Sequence, residues 1–242
     1  MIDNQPEVSI EEQCERGPDV NRRIGLIVPS TNTVAEPDFY SGLPTNTSIH
    51  TARVLLGGGH AQDELDMVKN ELPRAARDLA TMRPHVVVFS CTTAGAVVGE
   101  AGEKDLINAL SQTTGARVVS TNDAVRRALH GLAASSIALI TPYLDGLTAA
   151  MQDSLRRDGL PITATAGMAI SDPFEIAQVE PEAIVKFAAE NLAGKEFDAI
   201  FLSCTNLRGL EAQDACSQHF GVPVITSNQA ARDAAMALVA YH

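Results

Sequence analysis

Six short apolar runs punctuate the chain: "RIGLIVP" from Arg23, "VVVFS" from Val86, "ARVVS" from Ala116, "SIALITP" from Ser136, "DAIFLS" from Asp198 and "VPVIT" from Val222. They are rich in β-branched residues and do not alternate with polar ones, so each reads as a strand buried on both faces. Between them lie alanine- and leucine-rich stretches that predict helices over Asp63–Met82, Glu103–Leu110, Thr121–Leu132, Asp145–Arg157, Pro181–Leu192, Leu210–His219 and Ser227–Tyr241. Strand and helix in alternation predict a mostly parallel sheet with helices on both faces.

The pattern repeats. "RIGLIVPSTN" from Arg23 aligns with "SIALITPYLD" from Ser136, and "FSCTT" around Cys91 aligns with "LSCTN" around Cys204. Both alignments share one offset, because 142 − 29 and 204 − 91 each give 113. A third pair, "GARVVSTNDAVRRA" and "GVPVITSNQAARDA", matches Asn122 to Asn228 and Arg126 to Arg232. The period is far too long for a solenoid. The expectation is an α/β fold of two pseudo-symmetric, Rossmann-like lobes, residues 23–132 and 133–242, with the site between them. Residues 1–22 carry several acids and no sustained apolar period, and read as an N-terminal tail.

Composition narrows the class. The chain has 242 residues, 45% of them hydrophobic, enough for a substantial core. No apolar run approaches the roughly 20 residues that span a bilayer, and the N-terminus is polar and acidic, so a cytoplasmic location is expected. A formal net charge of −12 argues against nucleic acid and anionic membranes as partners. The four cysteines, Cys14, Cys91, Cys204 and Cys216, fit neither a disulfide framework nor paired zinc ligands, and the six histidines have no ligand spacing. No metal and no cofactor are expected.

Ligands of open parallel sheets bind beyond the carboxyl ends of the strands. Both S-C-T phrases fall at such an end, so Cys91 and Cys204 are the candidate catalytic pair, one from each wall of a central cleft. A helix N-terminus beside each sulfur would lower its pKa and bind carboxylate. Thr92, Thr93, Thr205 and Asn206 are candidate substrate donors, while Gly95 relaxes steric demands near the turn. At the ends of the first strands of the two lobes, Asn32 and Tyr143 are candidates for the same mouth. "LLGGGH" (55–60) and "AISDP" (169–173) occupy matching places after the second strands; the triple glycine permits a mobile flap or close backbone approach. Arg208 is a solvated helix-start arginine or a counter-charge for an acid. Asn122 and Asn228 read as caps or turn residues, and Cys14 and Cys216 as structural or incidental.

Taken together, these residues resemble the aspartate/glutamate racemase superfamily, in which duplicated α/β lobes each give one cysteine to a cofactor-free cleft. The phrase "VPSTNTVAEPDF" is most similar to the maleate cis-trans isomerase and arylmalonate decarboxylase branch, and the tyrosine of "TPY" is shared with it. The resemblance implies Cys91 as nucleophile, Cys204 as acid and base, and Pro29, Ser30, Asn32 and Tyr143 as substrate-binding. Two departures stand out. The isomerase branch shows a D-N pair where this chain reads Asp172-Pro173, which removes one carboxylate donor. Arylmalonate decarboxylases keep only the second cysteine, so the presence of Cys91 argues against that activity.

The expected activity is cis-trans isomerisation of a small unsaturated dicarboxylate of the maleate type. Thiolate addition would make the double bond single and free to rotate, and elimination would release the trans acid. Alternatives are two-thiol racemisation of an amino acid or hydantoin, decarboxylation of a malonate-type acid, an ectoine-utilisation-type role, and a non-catalytic acid-binding protein. The expected partner is a small carboxylic acid, and by analogy of fold the protein is expected to be a homo-oligomer.

Overall fold

Apolar strands that are covered on both sides put alternate residues into two different cores. The computed structural model, which describes residues 22–240, shows this in both halves. In the first half, β1 (Arg22–Pro29), β2 (Thr47–Val54), β3 (Val86–Phe89) and β4 (Arg117–Ser120) form a parallel sheet in the order β2-β1-β3-β4. In the second, β5 (Ile137–Thr141), β6 (Ile162–Gly167), β7 (Ala199–Leu202) and β8 (Val224–Thr226) repeat it as β6-β5-β7-β8, again parallel. Strands β2 and β6, each at one edge of its sheet, stand outside the six apolar runs because they mix polar with apolar residues and leave some side chains partly or fully exposed.

The helices are α1 (Ala35–Tyr40), α2 (Ala61–Asp66), α3 (Leu72–Ala80), α4 (Thr92–Thr114), α5 (Thr121–Gly131), α6 (Asp145–Arg157), α7 (Pro173–Ile176), α8 (Pro181–Leu192), α9 (Gly209–Phe220) and α10 (Ser227–Ala240). Leu26, Val28 and Val88 of the first sheet share one continuous core with Leu139 and Phe201 of the second, filled in by Val125 of α5 and Ala231 of α10. Helices α5 and α10 pack on each other, and α10 also touches β3 and β4 of the opposite half. Each fully buried aliphatic side chain in that layer stabilises by about 1.5–3 kcal/mol, so the halves are joined by their largest apolar term. The outward positions Ile27 and Phe89 pack with Leu72 and Leu79, and Ile140 and Ile200 pack with Ile184 and Leu192.

Two helices depart from the sequence expectation. The predicted helix over 103–110 is the second part of α4, which starts at Thr92 and kinks at Gly99, whose φ of 73° is left-handed. The glycines of "AGAVVGEAG" hide that first turn from a propensity argument. The predicted helix over 63–82 is instead α2 and α3 joined by a π-helical turn, Met67–Glu71. That turn absorbs an extra residue, so Glu64 before it and Met67 at its start are buried together with Leu72 and Ala75 after it. The predicted tail and Cys14 fall outside the described residues.

The repeated asparagines each hold a buried carboxylate. Asn122 Nδ2 donates to Glu103 Oε2 (3.3 Å), which also accepts from Arg126 Nη1 (2.6 Å), and Ser120 donates to the other oxygen. Asn228 Nδ2 donates to Asp38 Oδ2 (2.7 Å), and Arg232 Nη1 donates to the Asp38 carbonyl (3.2 Å). Asn122 and Asn228 are therefore carboxylate holders and not caps. A Cβ at Gly95 would stand 2.7 Å from Asn122 Cβ, so glycine is needed for this close packing of α4.

Burial pushes the Asp38 carboxyl up from 3.8 to about 6, against the opposing Asn228 hydrogen bond. A group held more tightly protonated in the folded state adds stability below pH 3.8 and loses it as pH rises through about 6. The loss is roughly 3 kcal/mol. In Asp38→Asn, which keeps an acceptor for Asn228, urea unfolding free energies should change far less than wild type between about pH 4 and pH 7; an unchanged slope would contradict this.

Candidate functional site

The chain reverses direction in each sheet between the central strands, and the loops leaving β1, β3, β5 and β7 open there. The arrangement is the same in both halves: Ser90 N–H donates to Ile27 O (2.8 Å) and Ser203 N–H to Ile140 O (2.9 Å), holding each S-C-T phrase beside its neighbouring strand end. The phrases therefore arrive at one cleft. Cys91, Thr92 and Thr93 line it from the first half, and Cys204, Thr205 and Asn206 from the second. Pro29, Asn32 and Tyr143 complete the floor, and the cleft holds about 520 Å³ of empty space including its mouth.

The two sulfurs differ in setting. Cys91 is the N-terminal cap of α4 with ordinary extended backbone. Cys204 has φ of 121°, a left-handed conformation that costs a cysteine about 1–3 kcal/mol. It is held there by its own N–H, which donates to Ser227 Oγ (3.0 Å), and by Asn206 N–H donating to its sulfur (3.3 Å).

Both thiols are protonated at neutral pH, which corrects the expected depression. Burial pushes the Cys91 thiol well above its ordinary value, the Glu64 charge adds to this, and the Thr93 hydroxyl and Ala94 N–H oppose it without prevailing. Burial likewise pushes Cys204 up to about 11, against the Asn206 N–H and the Tyr143 hydroxyl. Tyr143 is itself raised by burial and by Cys204, so it remains a donor, and its hydroxyl meets Ser203 Oγ at 3.1 Å.

The side-chain donors expected to bind substrate are mostly engaged within the protein. Thr92 Oγ1 donates to Ser227 Oγ (2.9 Å), and Thr205 Oγ1 donates to Ser90 O (3.1 Å). Asn206 is a brace: its Oδ1 accepts from Thr33 N–H (2.9 Å), and its Nδ2 donates to Pro173 O (2.7 Å) and Thr31 O (3.4 Å). Ser30 does not line the cleft, because its hydroxyl accepts from Leu56 N–H (3.2 Å). Arg208 turns away to Glu180 (2.5 Å) and Glu211 (2.8 Å), and among the described residues no lysine, arginine or histidine lines the cleft. Pro173 presents an apolar wall where the isomerase branch has an amide, while Asp172 caps α7 through Phe174 N–H (2.9 Å).

Asn32 fits its expected role more closely. Its Oδ1 accepts from Val34 and Ala35 N–H (3.0 and 2.9 Å), starting α1, and Nδ2 donates to Thr205 Oγ1 across the cleft (3.0 Å). Arg53 holds the Asn32 carbonyl from behind while pairing with Glu36 (2.6 Å). One Nδ2 hydrogen remains for a ligand. Asn32→Asp keeps a side-chain acceptor for both backbone N–H groups but replaces that donor with charge. Its melting temperature should stay within a few degrees of wild type while turnover of a carboxylate substrate falls about 10²-fold; full turnover would remove Asn32 from the binding set.

Two features of the site were not read from the sequence. Glu64 of α2 is buried in the cleft, with Cys91 Sγ donating to Oε2 (3.2 Å) and Thr93 Oγ1 donating to Oε1 (2.5 Å). The loops after β2 and β6 also meet over the cleft: a Cβ on Gly59 would stand 3.0 Å from Ser171 O. The triple glycine thus serves close backbone approach. Among the described residues no cluster of His, Cys, Asp or Glu is arranged to hold a metal, and no helix is long and apolar enough to cross a membrane.

Residues 24–242 match the family model of arylmalonate decarboxylase. The chain belongs to that family. Within it, the maleate isomerase of Geobacillus stearothermophilus is 29% identical over 220 residues, covering 85% of this chain and 86% of that protein. The arylmalonate decarboxylase of Bordetella bronchiseptica is 28% identical, covering 86% of each. Among solved structures, a cysteine-to-serine mutant of Nocardia farcinica maleate cis-trans isomerase superposes with a TM-score of 0.83 at 26% identity, covering 90% of this chain and 93% of that one. That mutant holds a covalently bound succinylcysteine intermediate. The family thus includes enzymes that isomerise and enzymes that decarboxylate small acids, and this chain has thiols from both halves facing one cleft.

Proposed function

We propose that the protein is a cofactor-independent cis-trans isomerase of a maleate-type dicarboxylate. The observation that carries the reading is the placement of Cys91 and Cys204 on opposite walls of one buried cleft. Cys91 sulfur adds to one alkene carbon, and the π pair moves to the neighbouring carbon, which takes a proton from Cys204. The former double bond rotates, Cys204 thiolate removes that proton, and the carbon–sulfur bond breaks to release the trans acid. Neither step consumes an oxidant or reductant.

With no lysine, arginine or histidine among the described residues of the cleft, carboxylate recognition falls to neutral donors: Asn32, Tyr143 and the first N–H groups of α4, which have no intrahelical acceptor. The high pKa of Cys204 suits this chemistry, because Cys204 has to arrive protonated, whereas Cys91 has to give up its proton to a neighbouring acceptor as it adds. The succinylcysteine held by the Nocardia relative is the adduct this sequence of steps requires. We place the enzyme in the cytoplasm, where free thiols persist, and as a homo-oligomer.

Proton NMR of the protein with maleate, substituted malonates and acidic amino acids in D₂O tests the reading. Conversion of maleate to fumarate supports it. Exchange at the α-carbon of an amino acid would make the protein a racemase, and loss of CO₂ from a malonate a decarboxylase; either without fumarate would overturn the proposal.

A further inference from the structure

Glu64 is a carboxylate with 4% of its surface exposed and, among the described residues, no cation as a hydrogen-bond or ion-pair partner. A buried acid without a counter-charge is costly, and a family of small-acid enzymes gains nothing in affinity from a negative group beside its substrate. The fold nevertheless builds toward it. The π-helical turn after α2 keeps Glu64 on the inward face, and the Thr93 hydroxyl pins Oε1 so that Oε2 meets Cys91 Sγ at 3.2 Å. The distance is that of an S–H···O hydrogen bond, a path along which the proton can pass.

We propose that Glu64 is the proton acceptor for Cys91. This rests on Cys91 being the nucleophile of the isomerase reading. As the carbon–sulfur bond forms, the S–H bond breaks and its proton passes to Glu64 Oε2, while Cys204 protonates the neighbouring carbon. On return, Cys204 thiolate takes back the carbon-bound proton, the carbon–sulfur bond breaks, and the departing sulfur recovers its proton from Glu64. Every proton is thus held by a named atom throughout.

The buried pair holds one proton between its two titrations, because burial raises both groups, the Glu64 charge raises Cys91 further, and the Cys91 and Thr93 hydrogen bonds favour the Glu64 carboxylate. The other titratable groups facing the pair are Cys204 and Tyr143, both raised, and Asp63, whose carboxylate is turned to His60 N–H (2.9 Å) and the Gly57–Gly58 backbone. None of them offers Cys91 a base at neutral pH.

The test is the pH dependence of Cys91 alkylation by iodoacetamide, read by peptide mass spectrometry, together with kcat and KM for maleate. Wild type should show a limb for Glu64 followed by a plateau, since the reactive thiolate–carboxylic acid form carries the same net proton count as the resting pair. In Glu64→Gln the plateau should vanish and the rate should climb about tenfold per pH unit. Its kcat should fall about 10²-fold with KM little changed. Glu64→Asp should restore the plateau in part, and guards against misfolding of the first variant. A Glu64→Gln protein with wild-type kcat, or with a plateau intact, overturns the proposal. If wild type does not turn over maleate but the plateau depends on Glu64, the substrate assignment fails while the proton pairing stands.

Discussion

Cys204→Ser protein mixed with maleate should gain the mass of one substrate molecule, located on Cys91, while releasing almost no fumarate. The adduct forms slowly: Cys91, its Thr93 contact and the Ala94 N–H are all in the other half and are untouched, while water in place of Cys204 supplies the carbon-bound proton. It persists because serine, unlike a thiol whose pKa is about 11, is too weak an acid to supply a base that removes the carbon-bound proton. The loss in kcat should be about 10³-fold. Cys91→Ala should show neither adduct nor turnover. An adduct on Cys204, or isomerisation near the wild-type rate in either variant, would reverse or end the assignment of roles.

The largest effect on stability is expected at Glu103. This carboxylate is buried against Ser120, Asn122 and Arg126, and the Arg126 side chain is itself only 15% exposed. Glu103→Ala leaves that guanidinium with only Asp123 (3.2 Å) and Asp158 (3.5 Å), and leaves the Asn122 amide without its acceptor. A cost of about 3 kcal/mol follows, read as a lower urea midpoint at unchanged slope. A change below about 1 kcal/mol would mean that the neighbouring aspartates take over.

Most of the frame was legible because duplication leaves its mark at and just beyond the strand ends: Pro29 and Pro142, Cys91 and Cys204, Asn122 and Asn228 occupy matching positions in the two halves. The thiols could be located for the same reason, each falling where a parallel strand ends. Their protonation state could not be read, since a helix N-terminus is visible in sequence but the depth of burial that outweighs it is not. Thr92, Thr205 and Asn206 were recognised as polar and close, yet their donors are engaged by Ser227, Ser90 and Pro173, residues distant in sequence. Glu64 was missed because "AQDELDMVKNE" looks like a solvated acidic helix. Only the π-helical turn, which restores the inward face after an extra residue, reveals that one of its acids points inside.

The shared apolar layer of Leu26, Val88, Leu139 and Phe201 has a consequence for how a ligand gets in. Swinging the halves apart would tear that layer, so the spacing between the sulfurs is fixed like that of two bolts in one casting. Admission then falls to the backbone contact between Gly59 and Ser171, and any bulk added at position 59 would wedge the doorway while leaving the chemistry beneath it intact.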